Sequence, residues 1–366
     1  MARVFVGMSG GVDSSVAAAL LVEQGHDVTG VYMKNWSEDV PGMQCPWADD
    51  VADAKRVAVS LGIDFRVFDF QKEYKQRVVD AMVAEYKAGR TPNPDVMCNQ
   101  KIKFHLFLEA ALEQGAEMIA TGHYAKVQEG HTPPLDSEVN SESSPHPLKL
   151  AQSARLMCAV DGEKDQTYFL HRVHEVALQK TLFPLGDYTK SEVRDMARER
   201  GLWTAGKKES MGICFVGQVS IREFLGQYLE LVPGDIIDRD TGVAVGRHDS
   251  ALLYTIGQRH GLSVGGGLPY YVVGKDVATN VVYVSQNLND ETMWRTQIEL
   301  GDVHWIGQPP QSDDALTVRL RHRGALRPCQ LDGHSLRLAS PERAVAAGQS
   351  AVIYRGEEVL GGGIVL

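Results

Sequence analysis

The stretch that decides the fold lies at the N-terminus, where residues 3–15 read Arg-Val-Phe-Val-Gly-Met-Ser-Gly-Gly-Val-Asp-Ser-Ser. Its first half, Arg3–Met8, is an apolar run with the β-branched residues typical of a buried strand. The glycine pair interrupts that run, and Ser14–Gln24 then shows a helical pattern that Gly25 ends. A strand that leads through a glycine-rich turn into a helix is the first half of a βαβ unit.

The same alternation continues to about residue 125. The later strands and helices are predicted, in chain order, at Val28–Met33, Ala48–Leu61, Asp64–Phe70, Lys72–Lys87, Ile102–Gln114 and Met118–Thr121. Strands that alternate with helices predict an α/β fold with a doubly wound parallel sheet, covered by helices on both faces.

Changes in composition after residue 125 predict an insertion and two further domains. Residues 128–153 are rich in Pro, Ser and Glu and offer little to bury, which predicts a solvated insertion in the first domain. From about Val216, short apolar runs alternate with Gly, Asn and Asp, the pattern of small β domains. We therefore predict an α/β domain over 1–215, a central β domain over 216–290 and a barrel-like C-terminal β domain over 291–366.

The composition argues against several classes of protein. Of the 366 residues 43% are hydrophobic, enough for real cores, which argues against a disordered or fibrous chain. No apolar run approaches the length of a membrane span, and no secretory leader is evident. Five cysteines at irregular spacing do not form a disulfide framework and fit a reducing cytoplasm. The formal charge of −10 argues against a surface coated with basic residues for nucleic acid.

The glycine-rich loop predicts an anion-binding site. Glycines let the backbone approach an anion closely, and the start of the next helix offers unpaired N–H groups and a favourable dipole. The hydroxyls of Ser14 and Ser15 add donors, whereas Asp13 would repel phosphate unless Mg²⁺ lay between them. The loop has neither the Gly-Lys-Ser/Thr element of a Walker A loop nor the spacing of a dinucleotide binder. The competing interpretation is an ordinary tight turn.

Two of the cysteines lie in contexts that suggest chemistry. Cys98 follows the proline-stiffened segment 91–97 and falls near a predicted helix start, where the helix dipole favours thiolate. Asp95 is placed to cap that helix or to move a proton at a substrate. Cys214 lies in the glycine-flanked run 212–217, which predicts an exposed segment.

The other cysteine interpretations are more ordinary. No Cys-x-x-Cys or His-x₃-His spacing indicates zinc, so no metal ligands are predicted. An iron–sulfur cluster on Asp95, Cys98 and Cys214 would require those residues to converge, which the sequence does not decide. Small buried side chains are the interpretation for Cys45, Cys158 and Cys329.

Several motifs together make the pattern specific. The loop at 9–15 resembles the PP-loop signature of the ATP pyrophosphatase superfamily, whose members cleave ATP between the α and β phosphates. The further motifs are Thr-Pro-Asn-Pro-Asp-Val-Met-Cys-Asn at 91–99, Thr-Gly-His-Tyr-Ala at 121–125, Lys-Asp-Gln at 164–166, Gly-Ile-Cys-Phe at 212–215 and Tyr-Thr-Ile-Gly-Gln-Arg at 254–259. With them, essentially the whole chain resembles the tRNA-specific 2-thiouridylases, the MnmA/TrmU family.

The resemblance implies a role for each matching residue. The phosphates of ATP, with Mg²⁺, would be held by Gly7, Met8, Ser9, Gly10, Gly11, Val12, Asp13 and Ser14. The rest of the nucleotide would contact Met33 and Gly122, and the target base would meet Asn93, Pro94 and Asp95. Cys98 would be the nucleophile, and Cys214 would carry sulfur as a persulfide. tRNA would contact Lys164, Asp165, Gln166, Arg321 and His322.

The implied reaction is ATP-dependent 2-thiolation of the wobble uridine of tRNA, with AMP and pyrophosphate as products. Adenylation turns the C2 oxygen, a poor leaving group, into AMP, and the persulfide supplies the sulfur. Two routes stay open: Cys98 releases hydrosulfide from the persulfide, or the persulfide attacks directly and Cys98 then resolves the product. The family usually serves tRNAs for lysine, glutamate and glutamine, with sulfur from a cysteine desulfurase or a relay protein.

Although the net charge of the chain is negative, one locally basic segment could still bind tRNA. Arg319, Arg321 and Arg323 would alternate onto one face of a strand, either as a phosphate track or as protection of a solvated edge strand. Two other functions compete: a PP-loop ligase that adenylates a small molecule for amination, and a nucleotide-responsive RNA-binding protein without chemistry. The two well-placed cysteines favour the sulfurtransferase.

Overall fold

The fold is described from a computed structural model for residues 1–39, 47–130, 153–208, 220–262, 264–265, 268–287 and 289–366. Its strands, numbered in chain order, are β1 (Arg3–Gly7), β2 (Asp27–Lys34), β3 (Asp64–Asp69), β4 (Met118–Thr121), β5 (Lys126–Gly130), β6 (Ser153–Met157), β7 (Thr181–Leu182), β8 (Gly234–Asp238), β9 (Ala244–His248), β10 (Tyr271–Asp276), β11 (Val281–Ser285), β12 (Trp294–Trp305), β13 (Leu316–Arg319), β14 (Arg327–Asp332), β15 (Ser335–Arg343), β16 (Ser350–Arg355) and β17 (Glu358–Val365).

The α-helices are α1 (Val12–Glu23), α2 (Trp47–Leu61), α3 (Gln71–Tyr74), α4 (Asp80–Lys87), α5 (Pro94–Cys98), α6 (Phe107–Glu113), α7 (Glu175–Leu178), α8 (Lys190–Glu199) and α9 (Ile221–Leu225). Two π-helical stretches, Lys75–Val79 and Asn99–Leu106, join α3 to α4 and α5 to α6. Short 3₁₀ turns lie at Thr167–Phe169, Trp203–Gly206, Ala251–Leu253 and Glu291–Met293. Within these ranges no helix is both long and apolar enough to cross a membrane.

The N-terminal domain is built on a five-stranded parallel sheet in the order β3-β2-β1-β4-β7. Alternate residues of β1 face opposite sides of the sheet. Val4 and Val6 pack with α1, α2 and α8, whereas Phe5 packs with the helices on the other face. Both faces are therefore covered, which is why β1 is apolar throughout. The predicted doubly wound α/β fold is confirmed.

A long helical stretch begins at Pro94 and runs through α5, the π-helical residues and α6. The sequence pattern placed the start of this helix at Ile102, which is wrong because Asn93 caps the helix and Pro94 occupies its first turn. The stretch kinks at Phe104, whose φ of −102° and ψ of 17° leave the helical region. The Phe104 ring lies 5.7 Å from the His123 ring, centroid to centroid.

The remaining strands confirm two small β domains. The central domain has a four-stranded sheet in the order β10-β11-β8-β9. In the C-terminal domain, the order β12-β15-β14-β13-β16-β17 closes on itself through pairing of β12 with β17, which makes a barrel. The domain boundaries near 215 and 290 stay predictions, and the first of them falls outside the described residues.

The hairpin of β5 and β6 extends the sheet of the C-terminal barrel. Val359 of β17 pairs with Leu156 of β6, and β6 pairs in turn with β5. Gln128 and Ser153 were assigned to the insertion by composition, which is wrong because both belong to paired strands. Residues 131–152 lie outside the described residues. The first and last domains thus share one continuous sheet.

Arg172 makes a second link between these two domains. Its Nε donates to Gln100 Oε1 at 3.1 Å, on the helical stretch that carries Cys98. Its Nη1 and Nη2 donate to the backbone oxygen and to Oδ2 of Asp302 in β12, both at 2.7 Å. Arg172 is only 8% exposed, so these charge-assisted bonds form in a partly desolvated setting. The barrel is therefore fixed relative to the Cys98 helix.

Candidate active site

The glycine-rich loop connects the end of β1 to the start of α1. Gly11 is the N-cap residue of α1 and has an extended backbone, with no side chain capping the helix at that position. Gly10 has a φ of +74°, and a Cβ there would collide with the backbone oxygen of Asp50. Glycine satisfies both constraints, and the first N–H groups of α1 lack intrahelical partners, as an anion site requires.

The serines of the loop differ in exposure and in their hydrogen bonds. Ser9 is exposed, and its hydroxyl lies 3.4 Å from that of Ser14. Ser14 is 5% exposed, and its hydroxyl accepts from Ser9 N and donates to Gly11 O, both at 3.2 Å. Ser15 is 0% exposed, and its hydroxyl donates to Gly11 O at 2.8 Å. The prediction that Ser15 donates to phosphate is therefore wrong, because that hydroxyl is buried and already used inside the helix.

Gly122 packs directly against the loop. It follows β4, the neighbour of β1, at the point where the strand order reverses and where ligands bind in doubly wound sheets. A Cβ at Gly122 would lie 2.7 Å from Ser14 N and 2.8 Å from the carbonyl carbon of Asp13. The sequence prediction that Gly122 belongs to the same site as the loop is consistent with this geometry.

The carboxylate of Asp13 is held by two groups that the sequence did not reveal. Lys190 Nζ lies 2.7 Å from both Asp13 oxygens, and the Tyr124 hydroxyl donates to Oδ1 at 2.9 Å. The Lys190 side chain is 12% exposed, so the pair is largely shielded from water. A capping box marks the start of α8 in the sequence, but no local signal shows that this start lies beside the loop.

The other predicted nucleotide contacts lie beneath the loop. Met8, Val12 and Met33 are 1%, 5% and 5% exposed. The Met33 methyl would lie 2.9 Å from a Cβ at Gly7, so it fills the space under the end of β1. These side chains form the floor of the loop, and their contact with a nucleotide stays a prediction.

The segment predicted to meet the target base is a rigid helix start. Asn93 Oδ1 accepts from the N–H groups of Asp95 at 3.1 Å and Val96 at 3.4 Å. The interpretation of Asp95 as the cap is therefore wrong, because Asn93 already binds these N–H groups. Pro94 fits the first helical position, which needs no N–H donor. Asp95 lies in the first turn, where the helix dipole favours its negative charge.

Cys98 lies one turn into this helix and is 0% exposed. It packs in the core beneath the sheet, so a substrate reaches the thiol only when neighbouring side chains move. The next residue, Asn99, donates from Nδ2 to the backbone oxygen of Phe169 at 3.1 Å. This bond ties the cysteine-bearing turn to the segment that follows Lys164–Gln166.

His123 connects the glycine-rich loop to the helix of Cys98. Lys103, on that helix, has its Nζ 3.5 Å from His123 Nε2, and Thr121 Oγ1 lies 2.7 Å from Nδ1. Burial, followed by the charge of Lys103, lowers the pKa of His123 well below its usual value, so the ring is neutral at physiological pH. The adjacent residues Gly122 and His123 thus join the two parts of the site.

The remaining cysteines divide into two groups. Cys45 and Cys214 lie outside the described residues, so the convergence of Cys98 with Cys214 stays a prediction. Burial, aided by Asp165, raises the pKa of Cys158 to about 11, and burial raises that of Cys329 to about 11. Both thiols are protonated at neutral pH and unsuited to nucleophilic attack. Within the described ranges, no group of three or more metal-ligating side chains is found.

Residues 164–166 are held by hydrogen bonds beside the segment that follows β4. Asp165 is 3% exposed, and its carboxylate accepts from Ala159 N at 2.8 Å and from the Thr167 hydroxyl at 2.6 Å. Gln166 Oε1 accepts from Tyr124 N at 3.0 Å. Direct contact between the Asp165 carboxylate and tRNA does not fit this geometry, because its oxygens are buried and already bonded to the protein.

Arg321 and His322 lie in a turn of the barrel, after β13 has ended at Arg319. The prediction of three arginines alternating along one strand is therefore wrong, and Arg323, with a φ of +59°, belongs to the turn as well. His322 packs its ring 4.4 Å from that of Phe169, centroid to centroid. Arg321 and His322 are thereby brought next to the segment that follows residues 164–166.

The sheet order and the glycine-rich loop at its reversal point define an α/β protein of the PP-loop class. Three family models match the chain: a tRNA methyl transferase HUP domain at residues 2–218, a tRNA methyl transferase PRC-barrel domain at 222–286, and an aminomethyltransferase beta-barrel domain at 295–365.

Similar proteins align from end to end. A tRNA-specific 2-thiouridylase MnmA 2 from Geobacillus kaustophilus is 45% identical over 99% of this chain and 94% of its own length. The tRNA-specific 2-thiouridylase MnmA of a Janthinobacterium species is 44% identical over 99% and 97%. That of Enterococcus faecalis is 43% identical over 99% and 95%. The chain belongs to the tRNA-specific 2-thiouridylase family.

Replacing Gly122 with Ala should displace the first turn of α1, since the new Cβ would meet backbone atoms of Asp13 and Ser14 that have nowhere to move. We expect the affinity for ATP to fall about tenfold or more, measured by calorimetry. The control is Gly206→Ala, where a Cβ meets nothing within 4 Å. Unchanged ATP affinity in the Gly122→Ala protein would contradict the close approach.

Proposed function

We propose that this chain is a tRNA-uridine 2-sulfurtransferase that uses ATP to convert the wobble uridine of tRNA to 2-thiouridine. The observation that carries the proposal is the pair Gly122 and His123. One touches the backbone of the glycine-rich loop, and the other touches the helix that bears Cys98. The proposed ATP site and the helix of the proposed catalytic cysteine therefore contact two adjacent residues, Gly122 and His123. The relatives named above carry the same activity in their names.

The glycine-rich loop would bind the phosphates of ATP. The C2 oxygen of uridine attacks the α-phosphorus, pyrophosphate leaves, and the base becomes adenylated at oxygen. The first N–H groups of α1 and the exposed hydroxyl of Ser9 would be the donors for phosphate oxygens. Mg²⁺ would neutralise phosphate charge. Lys190 Nζ lies 2.7 Å from both oxygens of Asp13, so this lysine already supplies the positive charge that the carboxylate needs beside a phosphate.

The cysteines would supply and resolve the sulfur. On one route, the outer sulfur of a Cys214 persulfide attacks C2 and displaces AMP, and the Cys98 thiolate then attacks the inner sulfur. On the other, Cys98 attacks the inner sulfur first and releases hydrosulfide, which displaces AMP. Both routes form a Cys98–Cys214 disulfide, which an external thiol reductant must open. Asp95, in the first turn of the same helix, is placed to accept a proton from the base.

The tRNA contacts would come from two neighbouring surfaces. Lys164 and Gln166 lie on one, and the Arg321–His322 turn lies on the other. Asp165 acts through the protein instead, because its buried carboxylate orders this segment and lies 3.8 Å from Arg319 Nη1. The expected substrates are the tRNAs for lysine, glutamate and glutamine, with sulfur from a cysteine desulfurase or relay protein. We expect a cytoplasmic location, since five cysteines at irregular spacing do not form a disulfide framework.

The direct test is incubation of the protein with unmodified tRNA, Mg·ATP and a persulfide source, followed by nucleoside analysis. We expect 2-thiouridine, AMP and pyrophosphate to appear together, and no product when ATP is omitted. The rival ligase predicts instead that a small carboxylate and ammonia are joined in the same mixture without 2-thiouridine. That second result would overturn the proposal.

The two cysteines should fail at different steps. Cys214→Ser should abolish persulfide loading, because Cys214 carries the persulfide. Cys98→Ser should load sulfur normally and yield no 2-thiouridine, because Cys98 completes the transfer. Radiolabelled sulfur on the protein and in tRNA measures the two steps separately. Cys329→Ser, at a thiol whose pKa is raised to about 11, is the control and should support both steps. Persulfide on the Cys214→Ser protein would refute the assignment.

Lys190→Met should weaken ATP binding about ten- to hundredfold, because the Asp13 carboxylate would lose its charge-assisted bonds and repel phosphate. Calorimetry at several Mg²⁺ concentrations measures this, and high Mg²⁺ should recover part of the affinity by neutralising Asp13. Lys55→Met, at an exposed lysine of α2, is the matched control. If both variants bind ATP like the wild type, Asp13 needs no compensation from Lys190.

A further inference from the structure

The motif Tyr-Thr-Ile-Gly-Gln-Arg at 254–259 has no part in the function proposed so far. In the structure it forms a turn of the central domain that is stabilised by hydrogen bonds between its own residues. Gln258 Oε1 accepts from Thr255 N at 3.1 Å, and Gln258 N donates to Thr255 O at 3.0 Å. Gly257 N donates to Val272 O at 2.8 Å and anchors the turn to β10. The turn therefore holds the Thr255 hydroxyl in a fixed direction.

That hydroxyl contacts the segment that leads to the target-base residues. Thr255 Oγ1 lies 2.9 Å from Thr91 Oγ1, within hydrogen-bond distance. The two hydroxyls are separated by 164 positions in sequence and belong to different domains. A hydrogen bond over so large a loop forms only where the domains are already docked, so its geometry reports their relative placement.

The C-terminal domain binds the same threonine from the other side. Thr91 N donates to Ala347 O at 3.1 Å, and Gln349 Nε2 donates to Thr91 O at 2.6 Å. Gly348, between them, has a φ of +90°, and a Cβ there would lie 2.8 Å from Thr91 N. The side chain of Thr91 is thus fixed by the central domain and its backbone by the barrel.

The chain between Thr91 and the helix is stiff. Pro92 and Pro94 fix their own φ angles, and each restricts the residue before it, which here means Thr91 and Asn93. A shift at Thr91 is therefore transmitted to Asn93 rather than absorbed by rotation. Asn93 in turn caps the helix of Asp95 and Cys98, so the same shift would move the start of that helix.

We propose that Thr255 is a positioning residue for 2-thiolation, which holds Thr91 so that Asn93 and Asp95 meet the uridine in the correct register. This inference rests on the proposed function. It gives the central domain a part in the reaction: its turn and the barrel together clamp the base-binding segment. Thr255 acts through Thr91 and has no contact of its own with the reacting atoms.

The test compares Thr255→Val, which removes the hydroxyl at nearly constant shape, with Thr255→Ser, which keeps it. With tRNA, Mg·ATP and a persulfide source at saturation, we expect kcat for 2-thiouridine formation to fall about five- to tenfold in Thr255→Val. The dissociation constants of ATP and tRNA and the loading of persulfide should stay unchanged. Thr255→Ser should restore kcat, and Thr296→Val, at an exposed threonine of β12, is the control.

A double-mutant cycle shows whether the two hydroxyls act only through each other. Thr91→Val, Thr255→Val and the double variant should then lose similar amounts of kcat, so that the second substitution adds almost nothing to the first. Hydrogen exchange of the peptide that contains Thr91 should be faster in all three proteins.

Three outcomes would decide against the inference. A wild-type kcat in Thr255→Val would overturn it, as would fully additive losses in the cycle. Weaker tRNA binding with unchanged kcat would show instead that Thr255 contacts the tRNA. If the wild-type protein makes no 2-thiouridine, the proposed function itself fails, whereas faster exchange at Thr91 in the Thr255→Val protein would still establish the clamp.

Discussion

The rest of the site depends on the contact between the loop after β4 and the first turn of α1. Because β1 and β4 are adjacent and parallel, their ends meet at the point where the strand order reverses. Gly122 allows two backbone segments to touch there without a side chain between them. The residues that follow it then reach Asp13 on one side and the Cys98 helix on the other. One backbone contact thus joins the glycine-rich loop to the helix of Cys98.

A second constraint fixes residues 164–166 and the turn of Arg321 and His322 relative to that contact. β17 is hydrogen-bonded to strands of its own barrel and also to β6, which belongs to the N-terminal domain. A rigid rotation of the barrel would break this ladder, together with the bonds of Arg172 to Asp302. The stacked pair of Phe169 and His322 lies at the same junction. The turn that carries Arg321 is therefore held at a set distance from residues 164–166.

The sequence predicts local features well and long-range neighbours poorly. Alternating strands and helices and the glycine-rich loop depend on residues close together in the chain, and the structure contains both features. The partnership of Lys190 with Asp13 spans 177 positions, and no local pattern encodes it. The prediction for Ser15 is wrong for a related reason, since the helix directs its hydroxyl back to Gly11 O.

The formal charge of −10 constrains how this protein could hold an RNA. Several of its basic side chains are already paired with carboxylates of the chain, which cancels their field at longer range. The pairs include Lys190 with Asp13, Lys207 with Asp50 and Asp53, Arg327 with Glu342, and Arg355 with Asp314. Arg321 and Arg323 differ from these because they lie exposed on the barrel turn. RNA bound at such a confined basic surface would have few of its phosphates neutralised, so the expected affinity is salt-sensitive with a slope set by those few contacts.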